Sequence, residues 1–300
     1  MKKVAIIGGG VAGMSAAIYA LRANAEVTIF EQFGLGGLVA TIDKIENYPS
    51  HKSVEGFQLA SDMAAQAKAL GLKTVRRRVI SLTKTGDEFT VVTDKGEYTF
   101  PSVIVATGTS HNKLGIEDAY VGHGVSYCAT CDGNFHKNQP VAVVGGGSAA
   151  VREATYLSDL CSVVHVIVPQ DAFTAEEMAV SNLVGKANVQ IHYGATVSEI
   201  CGEGEVASIK IFSNGALTEL AVDGVFVAIG AKPVTDFIRI DGLNFNRGYV
   251  CVDSRCETSV KGLFACGDVT DGPLKQIVTA CGDGAKAGAF ASAYAASKRP

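Results

Sequence analysis

One phrase occurs twice in this chain, and it limits the available folds more than any other feature. Val4-Ala5-Ile6-Ile7 is a short β-type apolar run. It feeds Gly8-Gly9-Gly10-Val11-Ala12-Gly13 and then an Ala-rich stretch, Met14 to Leu21, that reads as a helix. Val27-Thr28-Ile29-Phe30 follows as a second strand and ends on Glu31. Strand, glycine turn, helix, strand and acid, in that order, form the dinucleotide-binding fingerprint in its required context. Gly8 permits the tight turn, Gly10 lets the backbone approach a pyrophosphate, and Gly13 allows close helix–strand packing. The helix N-terminus then faces the phosphates. Glu31 stands 23 residues after Gly8, where a carboxylate accepts hydrogen bonds from ribose hydroxyls.

The second copy begins 137 residues later. Val141-Ala142-Val143-Val144 leads into Gly145-Gly146-Gly147-Ser148-Ala149-Ala150, a helix is expected from about Ala149 to Leu160, and a strand from Val163 to Val168. Gly145, Gly147 and Ala150 are therefore candidates for holding a second nucleotide. The pattern predicts an α/β protein of two Rossmann-like, three-layer ββα dinucleotide-binding domains. Hinge candidates bracket the second copy: Ser110-His111-Asn112-Lys113, after the Ala106-Thr107-Gly108 turn, and Ala231-Lys232-Pro233. The second domain is thus expected as an insertion at 113–237, with 1–112 and 238–300 forming the first. The length of 300 residues suits two domains of about 150 each.

Composition narrows the class further. With 26 Lys+Arg against 30 Asp+Glu, the net charge is −4, which argues against nucleic-acid binding. No apolar run reaches the ~18–20 residues of a membrane span. The N-terminus enters a strand at once with no leader pattern, so no membrane contact and a cytoplasmic location are expected. In that setting most of the eight cysteines are expected as buried thiols.

Cys128-Ala129-Thr130-Cys131-Asp132-Gly133 is the exception. Two thiols three apart can close a strained, readily reduced disulfide, and the turn geometry favours a thiolate. Asp132 is placed to shuttle the proton that thiol–disulfide exchange requires. The alternatives are half of a zinc site, for which no second CxxC or HxxxH is present, and a pair of inert core thiols, at odds with the flanking Gly, Asp and Thr. The spacings of Cys251, Cys256, Cys266 and Cys281 match neither common iron–sulfur pattern, and no metal is expected. His136, five residues after the pair, reads as a solvent-facing residue before the next strand, with proton transfer near the disulfide as the alternative.

These pieces together resemble the low-molecular-weight thioredoxin reductases of the pyridine nucleotide–disulfide oxidoreductase group, over essentially the whole chain. Gly36-Gly37 with Glu46-Asn47-Tyr48-Pro49 resembles the family's isoalloxazine-side loop, and Gly267-Asp268-Val269 with Lys275-Gln276-Ile277 its C-terminal FAD motif. The resemblance implies FAD as cofactor, held by Gly8, Gly10, Gly13, Glu31, Gly36, Gly37, Leu38, Asn47, Gly108, Asp268, Lys275, Gln276 and Ile277. Leu38 stands where the family usually has Gln. The resemblance also implies that Cys131 accepts electrons from the flavin, that Cys128 attacks the disulfide of a thioredoxin-like partner protein, that Asp132 is the acid/base, and that the assembly is a homodimer.

The likeness breaks in the second domain. The position matching Glu31 is Val168, so a reader of the ribose 2′-hydroxyl of NADH is missing there. The family's NADPH signature, His-Arg-Arg with a further Arg four residues on, is replaced by Val168-Pro169-Gln170-Asp171-Ala172-Phe173-Thr174. A 2′-phosphate needs cationic, preferably bidentate donors, and no Lys or Arg occurs between His165 and Lys186. NADPH is therefore expected to serve poorly or not at all, with ferredoxin, a second flavin or another donor in its place. An acidic ferredoxin would want a basic patch, and Arg76-Arg77-Arg78 is the one cationic run. The remaining readings are an ordinary NADPH-dependent reductase and a dithiol oxidase that uses FAD and oxygen.

Overall fold

The structure, a computed structural model, describes residues 2–42 and 44–298; the domain ends expected at 1 and 300 lie outside them. The chain divides into two compact units, Met1–Ser110 with Lys232–Pro300, and His111–Ala231.

In chain order the first pass builds β1 (Lys3–Ile7), α1 (Val11–Arg22), β2 (Glu26–Phe30), α2 (Gly56–Ala69), β3 (Lys73–Val75), β4 (Val79–Thr85), β5 (Glu88–Thr93), β6 (Gly96–Phe100), β7 (Ser102–Val105) and β8 (Thr109–His111). The middle of the chain builds β9 (Val125–Ser126), α3 (Ala129–Asp132), β10 (Pro140–Val144), α4 (Ser148–Ser158), β11 (Val163–Val168), α5 (Glu177–Val184), β12 (Val189–Tyr193), β13 (Thr196–Cys201), β14 (Ser208–Ser213), β15 (Ala216–Ala221) and β16 (Gly224–Val227). The return adds β17 (Ala231–Pro233), β18 (Phe245–Asn246), β19 (Tyr249–Val250), β20 (Leu263–Ala265) and α6 (Ile277–Ser297).

The first unit has a five-stranded sheet in the order β20-β7-β1-β2-β3, parallel throughout. Its inner strands β1 and β7 and the neighbouring β20 are nearly all apolar because both faces are covered, whereas β3 at the other edge is exposed at Lys73 and Thr74. Alternation along β1 assigns each side chain to a layer. Val4 and Ile6 pack with α1 and α6, whereas Ala5 and Ile7 pack with Leu82, Phe89 and Val91 of the antiparallel β4-β5-β6 sheet. The second unit repeats the plan. Its parallel sheet runs β12-β11-β10-β16-β9. Val141 and Val143 meet α4, while Ala142 and Val144 meet Ile209 and Ile211 of the β13-β14-β15 sheet. Each unit is thus sheet, sheet, helix: the three-layer ββα arrangement.

The return to the first unit begins at Lys232, earlier than the residue 238 that the sequence suggests. Main-chain pairing fixes the difference. Val234 N–H donates to Gly108 O at 3.1 Å, and Leu82 N–H to Phe237 O at 2.9 Å. Phe237 is buried among β4, β5 and β7 residues. The other crossing falls at 110–111, two residues before the expected 112–113.

Helices α1 and α6 approach very closely. A β carbon on Gly284 would stand 2.2 Å from Ala12 O, and one on Gly288 2.2 Å from Ala16 O. These are backbone atoms of a buried helix and cannot yield without moving it. Gly284→Ala is therefore expected to cost about 2 kcal/mol, read as a lower midpoint of thermal unfolding. Gly282→Ala, whose β carbon meets nothing within 4 Å, is expected to hold or raise the midpoint, since Ala favours a helix over Gly.

In the second unit, His165 on β11 and His192 on β12 meet ring to ring, Nδ1 to Nε2, at 3.2 Å. Burial lowers both pKa values, and the neighbouring ring lowers that of His165 further. The unfolded chain, with His near 6.5, then binds more protons than the fold in acid. Stability is complete above that pH and falls as pH drops through the lowered folded values. Unfolding midpoints at pH 7.5 and 5.5 should show this drop, and His192→Gln should make it smaller.

Candidate active site

The glycine turn of the first unit is built by a near collision. At φ 106°, Gly8 brings its Cα so close to the Ala106 carbonyl that a β carbon would stand 2.4 Å from the oxygen. The Ala106–Gly108 turn therefore abuts Gly8. Gly13 lies under the same turn, its β-carbon position 2.1 Å from Gly8 O. Gly36 N–H donates to Gly9 O at 2.9 Å, and the β-carbon position of Gly37 is 2.9 Å from Gly10 Cα. Gly36 and Gly37, at φ 136° and 60°, thus close on the turn as only glycines do readily. Glu31 accepts from Gly9 N–H at 2.8 Å and Phe33 N–H at 3.0 Å, one bond to each carboxylate oxygen.

The C-terminal residues join the same place. Gly267 packs against Ala12 in the first turn of α1, its β-carbon position 2.8 Å from Ala12 Cβ, which sets Asp268 beside that turn. Burial pushes the Asp268 carboxyl up, against the pull of Lys275. Burial pushes the Lys275 ammonium down. Lys275 Nζ bonds to Thr270 O and lies 4.7 Å from the centre of the Tyr249 ring. Gln276 caps α6 in a reciprocal box with Thr279, and its Oε1 accepts from Asn47 Nδ2 at 3.0 Å. Ile277 packs into the core beside them. Leu38 is 52% exposed.

These residues fit a bound dinucleotide. No side chain caps the α1 N-terminus, and a β carbon on Gly10 would meet only Gly37 Cα at 3.9 Å. Free backbone donors and cleared space are what a pyrophosphate requires.

In the second unit, Cys128 and Cys131 form a disulfide, Cα to Cα 5.3 Å. Cys128 is the N-cap of α3, so the pair spans one helical turn. Ser126, whose role the sequence does not mark, ties the motif together. Its Oγ donates to Asp132 Oδ2 at 2.6 Å and accepts from Cys128 N–H at 3.0 Å. The chain just before it is anchored by Glu117, which is fully buried. That carboxylate accepts from Leu114, Gly115 and Ile116 N–H at 2.7–2.9 Å and from Tyr127 Oη at 2.9 Å. Burial opposes the charge, yet these bonds prevail and hold the Glu117 carboxyl below its usual range. Burial and Glu117 push the Tyr127 phenol up, so it stays a donor. The His111 ring stacks on Tyr127 at 4.6 Å. Sequence spacing carries no signal for Glu117; Ser126 was adjacent to the motif.

His136 is not solvent-facing. It is half-buried, edge-on to Phe226 at 5.6 Å, and its ring fills the space that a side chain at Gly224 would need.

The second glycine turn repeats the first. A β carbon on Gly145 would stand 2.4 Å from Ala228 O and 3.1 Å from Ala150 Cβ. Thr174 N–H donates to Gly146 O at 2.8 Å. Gly147 caps α4 without a side-chain cap. A cavity of about 460 Å³ lies between α4 and α5, with Ser148, Arg152, Tyr156 and Glu176 among its walls. Arg76, Arg77 and Arg78 are exposed at the end of β3. Among the described residues no group of three or more His, Cys, Asp or Glu is placed to hold a metal, and no helix is long and apolar enough to cross a membrane.

Two dinucleotide folds with a cysteine pair define a class, the flavin-linked disulfide oxidoreductases. Residues 2–284 match the family described as pyridine nucleotide-disulphide oxidoreductase. The chain is 39% identical over 296 residues to a thioredoxin reductase of Treponema pallidum (strain Nichols), covering 97% of this chain and 96% of that protein. The crystal structure of thioredoxin reductase from Streptococcus pyogenes matches at TM-score 0.93 and 36% identity, over 98% of each chain. A ferredoxin-flavin thioredoxin reductase from Clostridium acetobutylicum matches at TM-score 0.55 and 30% identity, over 99% of each. The chain belongs to the low-molecular-weight thioredoxin reductase family, and it is an enzyme, a thiol–disulfide oxidoreductase.

Losing the Ser126 bridge should loosen Asp132 and the Cys128 amide together. Ser126→Ala is expected to slow the reaction of the reduced pair with an aromatic disulfide reagent about tenfold, while Ser126→Thr keeps most of the rate. Stopped-flow absorbance measures both, and an unchanged rate in the alanine variant would remove Ser126 from the site.

Proposed function

We propose that this enzyme uses FAD, held in the first unit, to pass electrons through Cys128 and Cys131 to the disulfide of a thioredoxin-like protein, and that NADPH is a poor donor or none. The observation that carries the proposal is the Cys128–Cys131 disulfide with Ser126 and Asp132 hydrogen-bonded beside it. The glycine turn, Glu31 and Asp268 are the residues that would hold FAD, which supplies a carrier able to take and give two electrons.

Two electrons and two protons convert the pair to a dithiol. The Cys128 thiolate then attacks one sulfur of the partner disulfide. A mixed disulfide forms, and one partner thiolate leaves and takes a proton. The Cys131 thiolate attacks Cys128 Sγ, the second partner thiolate leaves, and the Cys128–Cys131 disulfide is restored. Asp132 is positioned by Ser126 to hold or give the protons that these steps exchange. The exposed Thr130 side of the motif leaves room for a protein partner.

Against NADPH stand Val168, Pro169, Gln170 and Thr174, where the family carries His, Arg, Arg and Arg. Ferredoxin is a candidate donor, in keeping with the Clostridium relative, a ferredoxin-flavin thioredoxin reductase, and with exposed Arg76, Arg77 and Arg78.

Anaerobic titration of the yellow protein tests the donor. NADPH is expected to bleach the flavin band at least ~100-fold more slowly than dithionite or reduced ferredoxin, because bidentate charge contacts are missing. Rapid bleaching by stoichiometric NADPH would instead make this an ordinary NADPH-dependent reductase. Cys128→Ser and Cys131→Ser should each abolish turnover of a thioredoxin disulfide. Reduction of oxygen by a small dithiol in its place would favour the oxidase reading.

A further inference from the structure

The two glycine turns can be compared atom by atom, because the same main-chain bonds fix both. Gly8 N–H donates to Phe30 O at 2.9 Å, and Gly145 N–H donates to Ile167 O at 2.9 Å. Glu31 and Val168, the next residues, are therefore true equivalents. At the middle glycine their surroundings differ. A β carbon on Gly9 would meet Leu35 Cδ2 at 2.7 Å and Glu31 Cγ at 3.1 Å, with the Glu31 carboxylate bonded to Gly9 N–H. A β carbon on Gly146 would meet Val168 Cγ1 at 2.8 Å and also Gln170 Oε1 at 2.8 Å. Val168 thus fills the place of the Glu31 stem, and the Gln170 carboxamide, from two residues further on, brings a polar atom over the same glycine.

The loop that carries Gln170 is pinned at both ends. Gly194 N–H donates to Gln170 O at 3.1 Å, and Thr174 N–H holds Gly146 O from the other end of the loop. Gln170 itself is exposed, so its amide is open to a ligand.

We infer that Gln170 is the specificity-determining residue of the second unit, and that this unit takes an adenosine diphosphate group with a free ribose 2′-hydroxyl in preference to a 2′-phosphorylated one. The inference rests on reading the second unit as a working nucleotide fold. A carboxamide both accepts and donates, so it can serve the ribose hydroxyl pair as Glu31 does in the first unit. It offers no charge to a phosphate, and the next residue, Asp171, carries a charge that repels one. Arg152, on α4, lines a cavity together with Glu176. The sequence register pointed to position 168 and so to a missing reader; the structure supplies one from position 170.

Calorimetry on the FAD-loaded protein, with ADP-ribose and 2′-phospho-ADP-ribose as probes, tests this without any electron transfer. ADP-ribose is expected to bind about tenfold more tightly, the worth of one good hydrogen bond set against a repelled charge. Gln170→Ala should weaken ADP-ribose binding about tenfold and leave the phosphorylated probe unaffected, with an unchanged unfolding midpoint. Gln170→Arg should reverse the preference. Equal or tighter binding of the phosphorylated probe would overturn the inference, and its loss in Arg152→Ala would assign the site to Arg152. Binding of neither probe would also overturn it, while leaving the cysteine chemistry intact, since that is read separately by thioredoxin turnover. Bleaching of the flavin by NADH would identify the natural ligand as a nicotinamide dinucleotide. Two FAD per chain would identify it as a second flavin.

Discussion

Each unit depends on one contact that only glycine allows: the turn after the first strand runs against a carbonyl at the end of the neighbouring strand. Gly8 meets Ala106 O in one unit and Gly145 meets Ala228 O in the other, with the same spacing. A β carbon at either place would push the turn off the sheet, and the following helix would lose its aim. The uncapped helix N-termini, the loop closure by Gly36 and Gly37, and the docking of Gly267 on Ala12 all follow from where that turn lies. In the first unit the Gly284 and Gly288 approach of α6 to α1 fixes the helix from behind.

The cysteine motif is held by polar bonds as well as by apolar packing, with Ala129 buried in the core of the second unit. Ser126 joins Cys128 to Asp132, and the buried Glu117 gathers three amides and a phenol just ahead of them. A buried carboxylate is costly unless every lone pair finds a donor, and here the donors come from four consecutive or nearby residues. The outcome is a well-anchored approach to a short helical turn that is exposed at Thr130. Anchoring before the motif and exposure at it are compatible with attack on a protein disulfide.

Much of this was legible in the sequence. The glycine phrase, its partner strand and Glu31 follow a fixed local geometry, so spacing alone locates them. Cys128, Cys131 and Asp132 lie within one turn and need no tertiary information. Burial patterns in β1 and β10 follow from alternation once both faces are known to be covered. The inner boundary near 238 was not legible, because nothing in Pro233 to Ile238 announces that Phe237 will be buried under β4. Nor was Glu117, whose partners are mostly backbone amides and carry no residue signature. His136 looked exposed in a turn but packs against a glycine, and a missing side chain opposite it leaves no mark on its own neighbourhood in sequence.

The sequence by itself determined the two nucleotide folds, the redox pair and the lack of cations after β11. These depend on local backbone geometry and on charge, which residue types fix directly. Tertiary structure decided which polar group stands at each middle glycine. In the first unit that is Glu31, in register; in the second it is Gln170, two residues out of register, where the bonds from Gly194 and Thr174 hold the loop at Gly146. Register counts residues along a strand, whereas a ligand meets side chains in space, and a loop pinned at both ends can bring a later residue to the same point.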